Sequence, residues 1–281
     1  MPRAADSIPM TVVYALTCAG SDPSGGAGIQ VDLRTFAALD VWGLSAITAL
    51  TAQTPAAVRA ATPVGPVMVA AQLEALLEAF PVGAAKTGML ATAAVCTAVA
   101  DTLPDDLPLV VDPVMAATSG GRLLDPAAVS VLVERLLPRA TLLTPNLGEA
   151  AALVGRPVQT IDEMREAAEL LRDLGARAVL VKGGHGEGPE AVDLLADDHG
   201  IFPFAGPRYP WDVHGSGCCL SAAIAARLAQ GADLRMAVRD GKAVVTAAIA
   251  GAVRAPDGRR MANPRARWAP PCGAFPPPGA P

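Results

Sequence analysis

The chain has 281 residues, of which 52% are hydrophobic, and its formal net charge at pH 7 is −5. This length and apolar content suffice for the core of one α/β domain, and the net acidity argues against a general nucleic-acid binder, whose affinity depends on clustered Lys and Arg. The longest apolar helical stretch, residues 243–253, is too short to cross a bilayer, so we expect no membrane contact.

The cysteines indicate the cellular compartment. They are Cys18, Cys96, Cys218, Cys219 and Cys272. An odd number without any CxxC spacing argues against a disulfide framework, a zinc ribbon or a dithiol redox site. We therefore expect a reduced, cytoplasmic protein.

In chain order, a loose leader of residues 1–10 precedes short apolar runs that alternate with helical patterns. The predicted strands are 11–18, 44–50, 83–86, 107–111, 140–143 and 176–181. The predicted helices are 29–39, 67–80, 92–103, 126–137, 162–174, 216–229 and 235–252. Residues 191–195 and 200–204 resemble a small hairpin flap. From 256 the composition turns to Arg, Pro and Gly, which predicts one folded domain over 11–255 and a poorly ordered tail over 256–281.

Strands interleaved with helices require crossover connections, so the pattern predicts a three-layer α/β/α fold with a mostly parallel central sheet. In such a sheet, ligands bind outside the carboxyl ends of the strands. The unusual segments of this chain all follow predicted strands or open a helix. They are AGSDPSGGAG, KTGM, DPVM, TPNLGE, KGGHG and HGSGC. We therefore expect one site at this edge of the sheet.

Two of these segments are rich in glycine. Residues 20–28 lack the Lys-Ser/Thr of a phosphate-binding P-loop, and Val31 stands where a dinucleotide motif needs Gly or Ala, so a plain strand-to-helix loop remains an equal interpretation. In HGSGC, residues Gly215, Ser216 and Gly217 precede an Ala-rich helix whose unpaired N–H groups would bind an anion. Cys218 in its first turn would have a lowered pKa as base or nucleophile, although a buried packing cysteine is an alternative.

Charged residues at the strand ends suggest phosphate chemistry. Asp112 and Glu149 suit Mg²⁺ held beside substrate phosphates, and Lys182 suits charge screening. The alternatives are a turn residue before a proline, a first-turn helix acid and a solvated lysine. His185 and His214 lack the spacing of a metal site, so we expect structural or packing roles for both.

Longer stretches around these segments are more specific than any single motif. They read ALTCAGSDPSGGAGIQVDLRTFAALDVWGLSAITALTAQ, KTGML, VVDPVMAATSG, LLTPNLGEAAAL, VLVKGGHGEG and HGSGCCLSAAIAARLA. Together, over residues 14–251, they resemble the hydroxymethylpyrimidine/phosphomethylpyrimidine kinases of the ribokinase-like superfamily. The resemblance implies a ribokinase-like fold, ATP with Mg²⁺, a small pyrimidine substrate and a homodimer.

The resemblance also implies residue roles. The pyrimidine pocket would be lined by Gly20, Ala27, Asp32, Gln53, Met89 and Val114. The catalytic motif would be Gly215, Ser216, Gly217 and Cys218, with Cys218 as the base. The magnesium ligands would be Asp112 and Glu149. Nucleotide contacts would come from Asn146, Lys182, Ser216 and Lys242.

This chain departs from the usual pattern of the family at the last motif. The typical HGTGCTLS reads HGSGCCLS, and the preceding Thr-x-Asn-Thr run is replaced by residues 209–213, which read YPWDV. Ser216 keeps the hydroxyl, so the anion site is expected to survive. The altered run affects the predicted contacts to ATP.

The activity implied is ATP-dependent phosphorylation of 4-amino-5-hydroxymethyl-2-methylpyrimidine and then of its monophosphate, in thiamine biosynthesis. In this interpretation the Gln53 amide forms hydrogen bonds with the ring nitrogen and the amino group of the pyrimidine. A pyridoxal-type vitamin kinase on the same fold is one alternative, and a catalytically silent ligand-binding module is another. Parallel ATP-consumption assays on the pyrimidine, its monophosphate and pyridoxal discriminate among them.

Overall fold

The computed structural model describes residues 12–116, 121, 123–184 and 188–266. The predicted leader, His185 and the part of the predicted tail from residue 267 onward lie outside the described residues.

A nine-stranded sheet forms the centre of the protein. Its strands are β1 Tyr14–Gly20, β2 Trp42–Thr54, β3 Ala57–Pro63, β4 Val82–Thr87, β5 Leu109–Val111, β6 Leu142–Leu143, β7 Val179–Val181, β8 Glu190–Asp197 and β9 Gly200–Pro207. Their order is β3-β2-β1-β4-β5-β6-β7-β8-β9. Six neighbouring strands, β2, β1, β4, β5, β6 and β7, are mutually parallel. Strand β3 is antiparallel at one edge of the sheet, and the antiparallel β8–β9 hairpin forms the other edge. The mostly parallel sheet is therefore confirmed.

Helices cover both faces of this sheet. They are α1 Gly28–Ala38, α2 Pro66–Ala79, α3 Ala93–Thr102, α4 Pro126–Val131, α5 Leu147–Val154, α6 Ile161–Asp173, α7 Ser216–Ala229 and α8 Leu234–Ala250. Helices α1, α7 and α8 pack in one buried apolar cluster, and α2 to α6 pack in another on the opposite face. The layering confirms the predicted three-layer α/β/α fold and leaves the carboxyl ends of the parallel strands open to a ligand.

Most predicted elements are present within a few residues of their expected ends. The hairpin is longer than predicted and extends the central sheet. Strand β3 was not predicted, because Ala57–Pro63 consists mainly of small residues on an exposed edge and shows neither an apolar run nor alternation. Within the described residues, no helix is long and apolar enough to cross a membrane.

The poorly ordered tail was predicted to begin too early. Strands β10 Val213–His214, β11 Val253–Arg254 and β12 Arg260–Met261 form a second small sheet, in the order β10-β12-β11. Ala262 is fully buried. The Arg and Pro content that suggested a tail belongs in part to a tight turn, in which the Ala255 N–H donates to the Arg259 carbonyl at 2.8 Å. We call residues 253–266 the C-terminal hairpin segment.

Candidate active site

A cavity of about 560 Å³ lies at the carboxyl ends of the parallel strands. Its walls come from the loops after β1, β4, β5, β6 and β7, from the start of α7 and from one face of α8. With the exception of Asp32, every site residue predicted from the sequence lines this cavity. The structure thus brings residues from Gly20 to Lys242 around one space, as expected for ligands at an open α/β sheet.

The turn before α7 is built around Gly215. This glycine has a φ of 78°, and a Cβ there would meet the carbonyl oxygen of Gly26 at 1.8 Å. The close approach presses the loop of residues 20–28 against the start of α7. Helix α7 has no side-chain cap, so the N–H groups of its first turn remain available to an anion at the positive end of the helix dipole.

Cys218 and Cys219 lie in different surroundings. Cys218 lines the cavity, whereas Cys219 is fully buried and accepts a hydrogen bond from Thr35 Oγ1 at 3.6 Å. Burial raises the pKa of the Cys218 thiol to about 11, although Lys86 and the N–H of Gly28 lower it in part. The expectation of a lowered pKa is therefore wrong, because desolvation by burial outweighs the helix dipole.

Two carboxylates share one lysine beside the start of α7. Lys182 Nζ lies 2.9 Å from Asp112 Oδ1 and 3.9 Å from Glu149 Oε2. Ser221 Oγ donates to Asp112 Oδ2 at 3.1 Å. Burial would raise the pKa of Asp112, but Lys182, which is closer to Asp112 than to Glu149, lowers that pKa below its usual range. At Glu149 burial dominates and raises the pKa to about 7. Asp112 is therefore the firmly ionised member of the pair.

This donor set fits magnesium. Carboxylate oxygens are the ligands that Mg²⁺ prefers, and the ion usually takes only one or two of them and completes its shell with water and phosphate oxygens. Among the described residues no group of three His, Cys, Asp or Glu could hold a metal by itself. Asp112 and Glu149 could therefore hold a magnesium ion that arrives with a nucleotide.

Glu149 and Asn146 are fixed by the start of α5. Asn146 Oδ1 accepts from the Glu149 N–H at 2.9 Å, and Glu149 Oε2 accepts from the Asn146 N–H at 2.8 Å. This capping box holds both side chains at the cavity wall.

Asp32 does not line the cavity, contrary to the expectation for a pyrimidine contact. It is fully buried in α1, where it accepts from Thr17 Oγ1 at 2.7 Å and forms an ion pair with Lys86 Nζ at 3.1 Å. Burial alone would lower the pKa of Lys86, but Asp32 and the nearby Cys218 and Asp112 raise it. Lys86 was not singled out from the sequence, although a lysine ending the apolar strand β4 was the available signal.

A second connection missed from the sequence joins the loop after β1 to β10. His214 Nε2 lies 2.8 Å from Asp22 Oδ2 and 3.3 Å from Gln53 Nε2. Asp22 also accepts from the N–H of Ala27 and from Ser24, so it organises the whole loop. Burial opposes the ionisation of Asp22, yet the bonds from His214 and Ser24 keep its pKa below the usual range. His214 thus has the structural role expected for it.

Helix α8 and the β8–β9 hairpin line a further part of the cavity. Lys242 Nζ donates to Asp193 Oδ2 at 2.8 Å and to the Ala191 carbonyl at 3.0 Å. Asp193 Oδ1 in turn accepts from the Gly183 N–H at 2.9 Å. Lys242 therefore lines the cavity while it is paired with Asp193.

Comparison with known proteins identifies the family. The model for phosphomethylpyrimidine kinase matches residues 22–263, most of the chain. The chain belongs to the phosphomethylpyrimidine kinase family. It is 49% identical over 248 residues to the hydroxymethylpyrimidine/phosphomethylpyrimidine kinase of Rhizobium meliloti, covering 87% of this chain and 93% of that protein.

Solved structures of kinases share the fold of this family member. An ADP complex of Bacillus subtilis pyridoxal kinase is 36% identical with a TM-score of 0.84, covering 91% of this chain and 98% of that one. Phosphomethylpyrimidine kinase from Clostridium difficile is 39% identical with a TM-score of 0.74, covering 84% and 99%. The chain is therefore a ribokinase-like phosphotransferase that uses ATP, and the catalytically silent alternative is set aside.

Proposed function

We propose that this protein uses ATP to phosphorylate the hydroxymethyl group of 4-amino-5-hydroxymethyl-2-methylpyrimidine, and then phosphorylates the monophosphate to the diphosphate, in thiamine biosynthesis. The observation that carries the proposal is one cavity that Gln53, Met89 and Lys242 line together with the anion-binding start of α7. An acceptor hydroxyl and a donor nucleotide can meet at that point.

In the proposed mechanism, the small thiolate fraction of Cys218, which Lys86 and the N–H of Gly28 favour against burial, accepts the proton of the acceptor hydroxyl at Sγ. The acceptor oxygen then forms a bond to the γ-phosphorus as the bond from that phosphorus to the leaving ADP oxygen breaks. Phosphoryl transfer depends mostly on positioning and charge stabilisation. The N–H groups from Gly215 to Cys218 and the Lys182 ammonium supply these for the phosphoryl oxygens, with Ser216 Oγ as a further donor.

Gln53 would orient the heterocycle. Its amide has both a donor and an acceptor, which match the amino group and ring nitrogen of an aminopyrimidine. The Gln53 side chain lies at the cavity wall beside His214, whose Nε2–H donates to Asp22 Oδ2 at 2.8 Å. Gly20, Ala27, Met89 and Val114 would complete the pocket as small or apolar contacts to the ring.

Magnesium would be held by Asp112 and Glu149 beside Asn146. When bound, it would neutralise negative charge on the donor phosphates. Lys182, which lies 2.9 Å from Asp112 and 3.9 Å from Glu149, would contact phosphate oxygens of the donor beside them. We further propose a cytoplasmic homodimer, on the basis of the family resemblance and of an odd number of cysteines without CxxC spacing in the sequence.

Pyridoxal is a second candidate acceptor, because solved pyridoxal kinases share the fold at TM-scores near 0.84. The test measures kcat/KM for hydroxymethylpyrimidine, its monophosphate and pyridoxal with the same enzyme preparation. We expect at least a tenfold preference for the pyrimidine over pyridoxal, about 1.4 kcal/mol of transition-state binding. Equal or reversed preference would contradict the thiamine assignment.

The magnesium role is tested by assaying the enzyme in excess chelator, where full activity would contradict it.

A further inference from the structure

Two aromatic residues line the cavity just before the turn at Gly215. Tyr209 and Trp211 stack with their ring centroids 5.4 Å apart and their planes at 30°. We call this pair the aromatic wall. Aromatic residues make up only 4% of the chain, so a stacked pair at the cavity surface is unusual for this protein. Flat aromatic surfaces of this kind bind planar heterocycles.

The C-terminal hairpin segment contacts the aromatic wall through Arg260. The guanidinium carbon of Arg260 lies 4.4 Å from the centroid of the Trp211 ring, a cation–π contact. Arg260 belongs to β12, which pairs in parallel with β10, and the Ala262 N–H donates to the His214 carbonyl at 3.0 Å. The orientation of Trp211 is therefore tied to the backbone that leads into Gly215.

The remaining lining at the α8 side of the cavity is mostly apolar. Val245 and Ile249 lie on the face of α8 that borders the cavity, about one and two turns beyond Lys242, with the hydroxyl of Thr246 beside them. The chain just before Tyr209 lies against this part of α8, because a Cβ on Gly206 would meet Lys242 Cε and Thr246 Oγ1 at 3.3 Å. Gln53 lies instead 3.3 Å from His214, which precedes the turn at Gly215. A donor with its phosphates at the start of α7 and its transferred group directed toward Gln53 would therefore place its base beside α8 and the aromatic wall.

We propose that the aromatic wall of Tyr209 and Trp211, positioned by Arg260, is the surface against which the purine base of the phosphate donor packs. This inference rests on the proposed function for its donor, ATP. The sequence resemblance places a Thr-x-Asn-Thr run where this chain has YPWDV, so the contact is a feature of this chain.

The test measures binding of the non-hydrolysable ATP analogue AMP-PCP by calorimetry, without any pyrimidine. Trp211→Leu and Tyr209→Leu should each raise its Kd by about 5- to 100-fold, the range for losing one base–aromatic stack. Trp211→Phe, which keeps a ring, should change the Kd by less than about threefold. Trp42→Leu is the matched control, because Trp42 is 62% exposed and lies outside the cavity lining, and its Kd should stay unchanged.

Tripolyphosphate, which has no base, separates a base contact from a disturbed anion site. Its affinity should be the same in the wall variants and in the unmodified protein. An unchanged AMP-PCP affinity in both leucine variants, or an equal loss of tripolyphosphate affinity, would overturn the proposal. Because no acceptor is present in these measurements, the wall can be confirmed even if hydroxymethylpyrimidine proves not to be the substrate.

Arg260 is tested as a positioning residue. Arg260→Ala should weaken AMP-PCP binding severalfold and leave the KM for the acceptor unchanged, whereas Arg260→Lys keeps a cation over the ring and should recover most of the affinity. Equal affinities for both variants and the unmodified protein would show that Arg260 does not hold the wall. Thermal unfolding of each variant identifies any general loss of folding.

Discussion

Cys218 lies in a part of the cavity where a thiol is harder to ionise than in water. Burial raises the pKa of the Cys218 thiol to about 11, above that of an ordinary thiol. Only the thiolate reacts with alkylating reagents, so the alkylation rate of Cys218 should rise about tenfold per pH unit from pH 7 to pH 10. Mass spectrometry of the iodoacetamide-treated Cys219→Ala variant measures this rate, and a plateau below pH 9 would contradict it.

The two adjacent cysteines should differ sharply in their effect on turnover. Adjacent helical side chains project about 100° apart, and only Cys218 lines the cavity. Cys218→Ala should lower kcat by about 10²–10⁴-fold, the usual loss for a missing general base, with substrate binding largely retained. Steady-state kinetics of Cys219→Ala provide the control, which should stay close to normal. Near-normal turnover of Cys218→Ala would show that positioning alone suffices.

The buried pair of Lys86 and Asp32 makes a prediction about stability. Both side chains are completely buried, so Lys86→Met would leave the Asp32 carboxylate without its cation. Breaking such a pair from one side typically costs about 3–5 kcal/mol. Urea unfolding should show this loss. The double variant Lys86→Met/Asp32→Leu should recover much of it, and equal losses in the single and double variants would disprove the coupling.

At the scale of elements, the C-terminal hairpin segment supports the turn at Gly215, because β12 pairs with β10 directly before it. Asn263 also binds the end of α8, donating its N–H to the Ala248 carbonyl at 3.1 Å and its side-chain amide to the Gly251 carbonyl at 3.1 Å. A chain ending at residue 255 lacks both β12 and these bonds. A chain ending at 266 keeps them and is the matched control.

We expect the chain ending at 255 to lose most of its kinase activity and to unfold at a lower temperature. The chain ending at 266 should match the full-length protein. Activity assays and thermal unfolding of the two truncations measure both effects. Full activity of the shorter chain would show that β10 and the turn at Gly215 are stable without β12.

At the scale of the whole molecule, one cavity brings together parts that are remote in the sequence. The cavity is lined by residues from Ala19 to Ile249, drawn from both faces of the sheet. Saturation with AMP-PCP at about 100 times its Kd should therefore add about 2.7 kcal/mol to the free energy of unfolding. For a domain of this size that is about 5–10 °C in Tm, which scanning calorimetry measures. AMP at equal concentration should give a smaller shift, and an absent shift would contradict nucleotide binding in this cavity.

The sequence predicts the sheet and the location of the site because both depend on local patterns. Apolar runs mark the parallel strands, and the glycine-rich and charged segments that follow them mark the cavity edge. Helix α7 is predicted with its observed bounds, since the glycines before it and the Ala-rich run after it are both local signals.

Contacts between distant residues could not be predicted in the same way. Asp32 and Lys86 are separated by 54 positions, and Asp22 and His214 by 192. Each looked like an isolated polar residue in its own segment. The pKa of Cys218 was predicted in the wrong direction for the same reason, since helix position is local but burial depends on the assembled fold.

The pairing of β10 with β12 has a consequence for protein synthesis. His214 and its partner Ala262 are separated by 48 positions, so the ribosome releases the catalytic turn well before the strand that supports it. The central sheet and α7 can form on the nascent chain, but the aromatic wall and the turn at Gly215 acquire their support only after Ala262 has emerged. A nascent chain arrested between these two points would carry a nearly complete fold with an unfinished catalytic centre, and catalytic competence would be among the last properties that the growing polypeptide gains.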